Sequence, residues 1–193
     1  TLEQEGAHNG KIYMKNSIRN LPLYGILMAV GFGMPGSAWS AGTDNNFKEI
    51  PFKTVDSGTY QTFIQNWDEN EKPVICAWIR SPSDWSKLFQ SAVTMFNKSP
   101  AAPPDSFYLK KQFLVVARVV TAPNVAEQGQ VFIANNVTKK EGMLQLNYEF
   151  KQPTSNAPFT TKEYLLVKVS KKSYSSGTVQ FIENGKIVCE VTR

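Results

Sequence analysis

The sequence predicts an α+β fold, a mostly antiparallel β-sheet of about six to eight strands with one amphipathic helix packed on it. Three observations predict it. Val74 to Ile79 is a continuous apolar run of strand length. The residues after it carry the one convincing helical pattern of the chain. Nearly everything beyond that helix alternates at strand spacing or is apolar on both faces.

The helix is justified first. Ser81 is a good N-cap, Pro82 suits the first helical position, and Asp84 sits near the positive end of the helix dipole. Trp85, Leu88, Phe89, Ala92, Met95 and Phe96 then recur at helical spacing, which predicts one long apolar stripe. Before the helix, Phe47 to Val55 has strand character, with Pro51 confining it to an edge or a bulge. Tyr60, Phe63, Ile64 and Trp67 are aromatic and apolar anchors for a strand returning over the core. After the helix, Pro100, Pro103 and Pro104 stiffen a loop. Gln112 to Val120 is apolar on both faces apart from Arg118, the mark of a central strand.

Gln130 to Thr138 is expected as a strand with Val131, Ile133 and Val137 in phase. Met143 to Phe150 alternates cleanly, with Leu144, Leu146, Tyr148 and Phe150 on one face and Gln145, Asn147 and Glu149 on a wet one. Tyr164 to Ser170 turns Leu165, Val167 and Val169 inward. Gly177 to Ile182 and Lys186 to Val191 flank Asn184-Gly185, a strong hairpin signal because both central turn residues must take positive φ.

The start of the chain has a different character. Residues 1–13 are polar and patternless and are expected to be translated upstream sequence or a cloning remnant. Residues 14–40 have the order of a signal peptide: Lys15 and Arg19, the apolar Leu21 to Met34, then the small-residue site Ala38-Trp39-Ser40. Cleavage after Ser40 leaves a single α+β domain at 41–193, periplasmic or secreted. An uncleaved N-terminal anchor is the rival reading of the same segment.

This division limits the chemistry. The single histidine is His8, in the discarded piece, so the mature chain lacks histidine. Ser-His-Asp and Cys-His mechanisms are excluded there, as are histidine-ligated metal and haem sites. Ser-Lys catalysis lacks the required spacing around Ser81 and Lys87. Asp84, Asp105, Glu127 and Glu149 could converge as paired carboxylates for glycoside hydrolysis, but no local pattern supports it over a solvated face. Asp68, Glu69 and Glu71 lack the glycine-bearing loop of an EF-hand, and no phosphate-cradling loop follows a strand. No enzyme activity and no cofactor are expected.

The net charge of +5 comes largely from Lys110-Lys111, Lys139-Lys140 and Lys171-Lys172. Pairs spread through a sequence are expected to be solvated strand ends that discourage edge pairing. They predict no nucleic-acid partner, and no membrane contact once the signal segment is removed. Arg118 on its apolar strand has two readings, a charge paired or led out to water, or an anchor for an anionic ligand or partner. The loop from Thr121 to Gln130, with Pro123, Asn124 and Glu127, is the expected binding surface because a buried strand holds it. Two glycosylation sequons begin at Asn97 and Asn136.

The two cysteines, Cys76 and Cys189, are an even count in an exported chain, and both thiols fall on inward phases. A disulfide between them is expected, with two buried free thiols as the alternative.

The strand VICAWIRS, the segment SPSDWSKLF, the Pro-rich loop and DSFYLKKQFLVVA together resemble the PrcB-like family, named for a subunit of a secreted bacterial protease complex. The similarity covers roughly Val74 to Phe181. Where that family tends to carry a Gly-Gly-Tyr-like turn, this chain has Thr121 to Gln130 without paired glycines. The resemblance implies an exported accessory protein that binds another exported protein, a protease being one candidate, rather than an enzyme. A small-ligand carrier, with an apolar pocket between sheet and helix, is the other reading.

Overall fold

Pro51 has no N–H to give to a ladder, and the first extended segment breaks there. In the computed structural model, which describes residues 47–92 and 98–193, the two halves of that segment join different sheets. β1 (Lys48–Glu49) pairs antiparallel with β7 (Phe132–Lys140), and β2 (Phe52–Val55) pairs antiparallel with β9 (Thr160–Ser170). The signal segment, the upstream remnant, Met95, Phe96 and the Asn97 sequon lie outside the described residues.

The remaining elements follow from patterns already named. They are β3 (Thr62–Ile64), β4 (Val74–Ile79), α1 (Pro82–Leu88), β5 (Phe89–Ser91), α2 (Phe107–Lys110) and β6 (Lys111–Thr121). β8 (Met143–Phe150), β10 (Thr178–Glu183) and β11 (Lys186–Thr192) complete the chain. The fold is α+β, with a single helix of more than one turn among the described residues and mostly antiparallel strands.

The strands form two main sheets and a small third one, β3 paired with β5. A four-stranded sheet has the order β2-β9-β6-β4 and a five-stranded sheet the order β1-β7-β8-β10-β11. β8 and β10 run parallel, the exception to the antiparallel rule. The reason for two layers is visible in β6 and β9, whose residues are buried on both faces. One short helix cannot cover such strands, so the second sheet does. Leu114, Val116, Leu165 and Val167 pack inward against Leu144, Leu146, Val179 and Phe181 of the facing sheet. On the other side, Phe113, Val115, Ala117 and Leu166 are covered by Trp85, Leu88, Phe89 and Tyr108. The outer face of the five-stranded sheet stays polar, where Gln145 donates to Gln180 and Gln180 to Glu190.

α1 starts as predicted: the Asp84 N–H donates to Ser81 Oγ at 3.1 Å, and the Arg80 N–H donates to Asp84 Oδ2 at 3.0 Å. It is shorter than the apolar stripe suggests. From Phe89 the chain is extended and pairs with β3, Ile64 opposite Phe89. Gln65 closes the helix end, its N–H donating to the Leu88 carbonyl at 2.9 Å and its Nε2 to the Ser86 carbonyl at 2.6 Å. These donors satisfy carbonyls that a continuing helix would have used. β7 also departs from its expected phase. A register shift between Ala134 and Asn136 puts the exposed Ile133 out of phase with the buried Val137, and the buried Val131 precedes the strand.

The sheets meet along two seams. Main chain bridges one, where Ile50 and Pro51 carry the chain from β1 to β2. A disulfide bridges the other: Cys76 of β4 and Cys189 of β11 are bonded, with Cα atoms 6.3 Å apart. The strand registers also define two ends. Thr121, Thr160, Phe132 and Phe150 lie toward one end, and Lys111, Ser170, Lys140 and Met143 toward the other. Thr43–Arg193 is a compact unit with its own core.

Candidate functional site

The end reached by Thr121 is built from loops braced against one another. Asn124 starts a tight turn in which its Oδ1 accepts from the Ala126 N–H at 2.9 Å and the Glu127 N–H at 3.1 Å. Glu127 answers with Oε2, which accepts from the Asn124 N–H at 3.0 Å. Its other oxygen reaches the second loop, accepting from the Thr154 N–H and Oγ1, both at 2.7 Å. The hydrogen bonds from Thr154, with that from Asn124, hold the Glu127 carboxyl below the usual carboxylate range.

Three more bonds tie the loops. Ser155 Oγ donates to the Ala122 carbonyl, the Ala122 N–H donates to Phe159 O at 3.1 Å, and the Lys151 N–H donates to Val131 O at 2.9 Å. Two apolar side chains project from this frame, Val125 at 86% exposure and Phe159 at 64%. Phe159 and Pro123 help to line a hollow of about 360 Å³, floored by Ser57 and Glu163. Burial pushes the Glu163 carboxyl above its ordinary value.

Arg118 lies at the inner rim of the same end, and its guanidinium is held by Glu183 of β10. Arg118 Nε donates to Oε2 at 2.9 Å and Nη2 to Oε1 at 2.6 Å. This is a two-point fork with side-chain exposures of 22% and 9%. Tyr148 Oη donates to Glu183 Oε2 at 3.1 Å, and the guanidinium lies 4.8 Å from the centre of the Phe150 ring. Burial, and then the charge of Glu183, push the Tyr148 hydroxyl up. Of the two sequence readings of Arg118, the geometry is that of the paired charge. It clamps one sheet to the other.

Pro123, Asn124 and Glu127 therefore form one frame, and Arg118 stands behind it in a network of its own. Sequence reasoning missed Thr154, Phe159 and Glu163. The alternation of β9 carries a signal for Glu163, which shares the inward phase of Leu165. Phe159 and Thr154 carry none, because their role depends on which loop lies beside which. The Asn136 sequon lies within β7, where Asn136 Oδ1 accepts from Asn147 at 2.8 Å. Among the described residues no three His, Cys, Asp or Glu side chains gather as metal ligands.

The expected carrier site, between helix and sheet, is occupied by side chains. Trp85 sits 4.5 Å from Phe89 and 5.7 Å from Phe113, centre to centre, and Tyr60 caps it at 5.1 Å. Comparison with protein-family models, curated proteins and solved structures finds no match for this chain.

Proposed function

We propose that the protein is an exported, non-enzymatic binding module that holds another exported protein at its loop end. One observation carries this reading: Val125 and Phe159 stand exposed on two loops that are hydrogen-bonded into a single frame. Exposed apolar side chains on a rigid frame lose little freedom on binding, which favours protein contact. The Cys76–Cys189 disulfide supports an oxidising compartment, periplasmic or extracellular. The resemblance of Val74 to Phe181 to PrcB-like proteins supports an accessory role, with a protease as one candidate partner. The packed aromatic layer under α1 favours this reading over the carrier.

The test is affinity capture from exported extract with the Thr43–Arg193 unit as bait. A single stoichiometric protein is expected, and Val125→Asp with Phe159→Asp should abolish its recovery while leaving the melting temperature unchanged. A co-purified lipid or metabolite with no protein partner would instead establish the carrier.

A further inference from the structure

The three lysine pairs are far apart in sequence but meet at one end of the fold. Lys111 opens β6 opposite Ser170, which closes β9, so Lys110-Lys111 and Lys171-Lys172 are neighbours. The Lys171 N–H donates to the Lys110 carbonyl at 3.0 Å. Lys139-Lys140 closes β7 on the same side, and Lys139 Nζ lies 5.8 Å from the ring of Tyr174, just beyond Lys171-Lys172. Lys48 is the register partner of Lys139. Lys171 Nζ reaches the Arg80 carbonyl at 2.8 Å.

Among the described residues, none of these lysines has a carboxylate within ion-pair distance; Arg193, paired with Asp84 at 2.8 Å, is the cation at this end that does. Two large apolar side chains stand among the charges. Leu109 is 78% exposed beside Lys110. Phe47 is 47% exposed, with Lys140 Nζ 4.7 Å from its ring centre.

We infer that this end is a docking face for an anionic phospholipid surface. Lysines without a carboxylate partner, flanking protruding apolar side chains, match the headgroup region of a bilayer, where charge attracts and the apolar tips enter the acyl boundary. A polynucleotide would be better met by arginine forks or stacking rings. Here Arg80 lies on its own Trp78, Arg193 is ion-paired, and Leu109 has no partner on a phosphate backbone. The described chain also enters the fold at this end, through Phe47 and β1. The face departs from the expectation that the lysine pairs are scattered. It leaves the loop end pointing away from the surface, free to hold a partner.

The experiment is vesicle co-sedimentation of the Thr43–Arg193 unit. The probes are phosphatidylcholine alone and a three-to-one mixture of phosphatidylcholine with phosphatidylglycerol. Binding is expected to the mixture and to vanish at high salt. Lys139→Glu with Lys140→Glu should lower the partition coefficient about tenfold or more. Leu109→Ser should lower it a few-fold without changing the salt dependence. Lys151→Glu with Lys186→Glu, at the opposite end, should leave it unchanged. Equal binding to both vesicles, an equal loss in the opposite-end variant, or binding to DNA with none to vesicles would each overturn the inference.

Discussion

The two ends of the sandwich use polar groups in opposite ways. At the loop end two carboxylates are engaged: Glu127 joins two loops and Glu183 holds Arg118. The large apolar side chains Val125 and Phe159 are left outward there. At the lysine end the paired lysines have no carboxylate partner among the described residues, and the fully buried polar side chain is neutral. Gln112 there accepts from Trp78 Nε1 at 3.0 Å and donates to the Tyr174 carbonyl at 2.6 Å. A braced end recognises shape, because its groups cannot rearrange. An end of lysines without carboxylate partners recognises a field, because long side chains not held by an opposite charge can follow the charge they meet.

The largest expected effect tests whether the ends are independent. The Cys76–Cys189 bond closes a sequence separation of 113 residues. On the chain-entropy model, replacing both cysteines with alanine should lower stability by about 4–5 kcal/mol. Denaturant unfolding with and without reductant measures it. Below the transition, neither partner capture nor vesicle binding should change if the ends act separately.

Next come the two buried networks. Arg118→Ala leaves a buried carboxylate with only the Tyr148 hydroxyl, and should cost about 3 kcal/mol. Gln112→Ala strands two neutral groups and should cost about 2 kcal/mol. Urea titration of both variants reads the difference. An equal or reversed order would mean that the charged clamp is no stronger than the amide bridge.

The smallest effect is one of sign. At the lysine end, burial pushes the Asp84 carboxyl up, but hydrogen bonds from Arg193, the Arg80 N–H and Ser81 together outweigh it and leave it below its ordinary value. Its stabilisation is therefore present above the unfolded value and lost as pH falls through the lowered folded one. At the loop end, Glu163 is raised by burial. Its contribution is most favourable below the unfolded value and declines as pH rises through the raised folded one. Asp84→Asn should thus destabilise at neutral pH and Glu163→Gln should stabilise, as read from melting temperature across the acid range.

Much of the fold is legible from local chemistry. Ser81 caps α1, Asn184 and Gly185 both take positive φ, at 48° and 81°, and β8 keeps its wet face. The cysteine pair is readable from count and phase. The features that local chemistry hides are set by distant partners. The helix stops at Leu88 because Gln65, far upstream, caps it and β3 pairs with the residues beyond it. Arg118 and Glu183 are 65 residues apart, and no periodicity marks them as partners. The passage of the first extended segment from one sheet to the other turns on Pro51, whose residue type signals a break but not a change of sheet. The lysine pairs look scattered because sequence spacing hides which strand ends coincide.

The disulfide also has a topological consequence. It closes a covalent ring from β4 to β11, and β1, β2 and β3 lie outside that ring. Tension applied through the N-terminus would therefore load β1 on β7, β2 on β9 and β3 on β5 while the ring stays whole. Those three strands are held by pairing alone, and their amides should exchange with solvent before those of β6. A tethered copy could yield there and recover, with the loop end undisturbed.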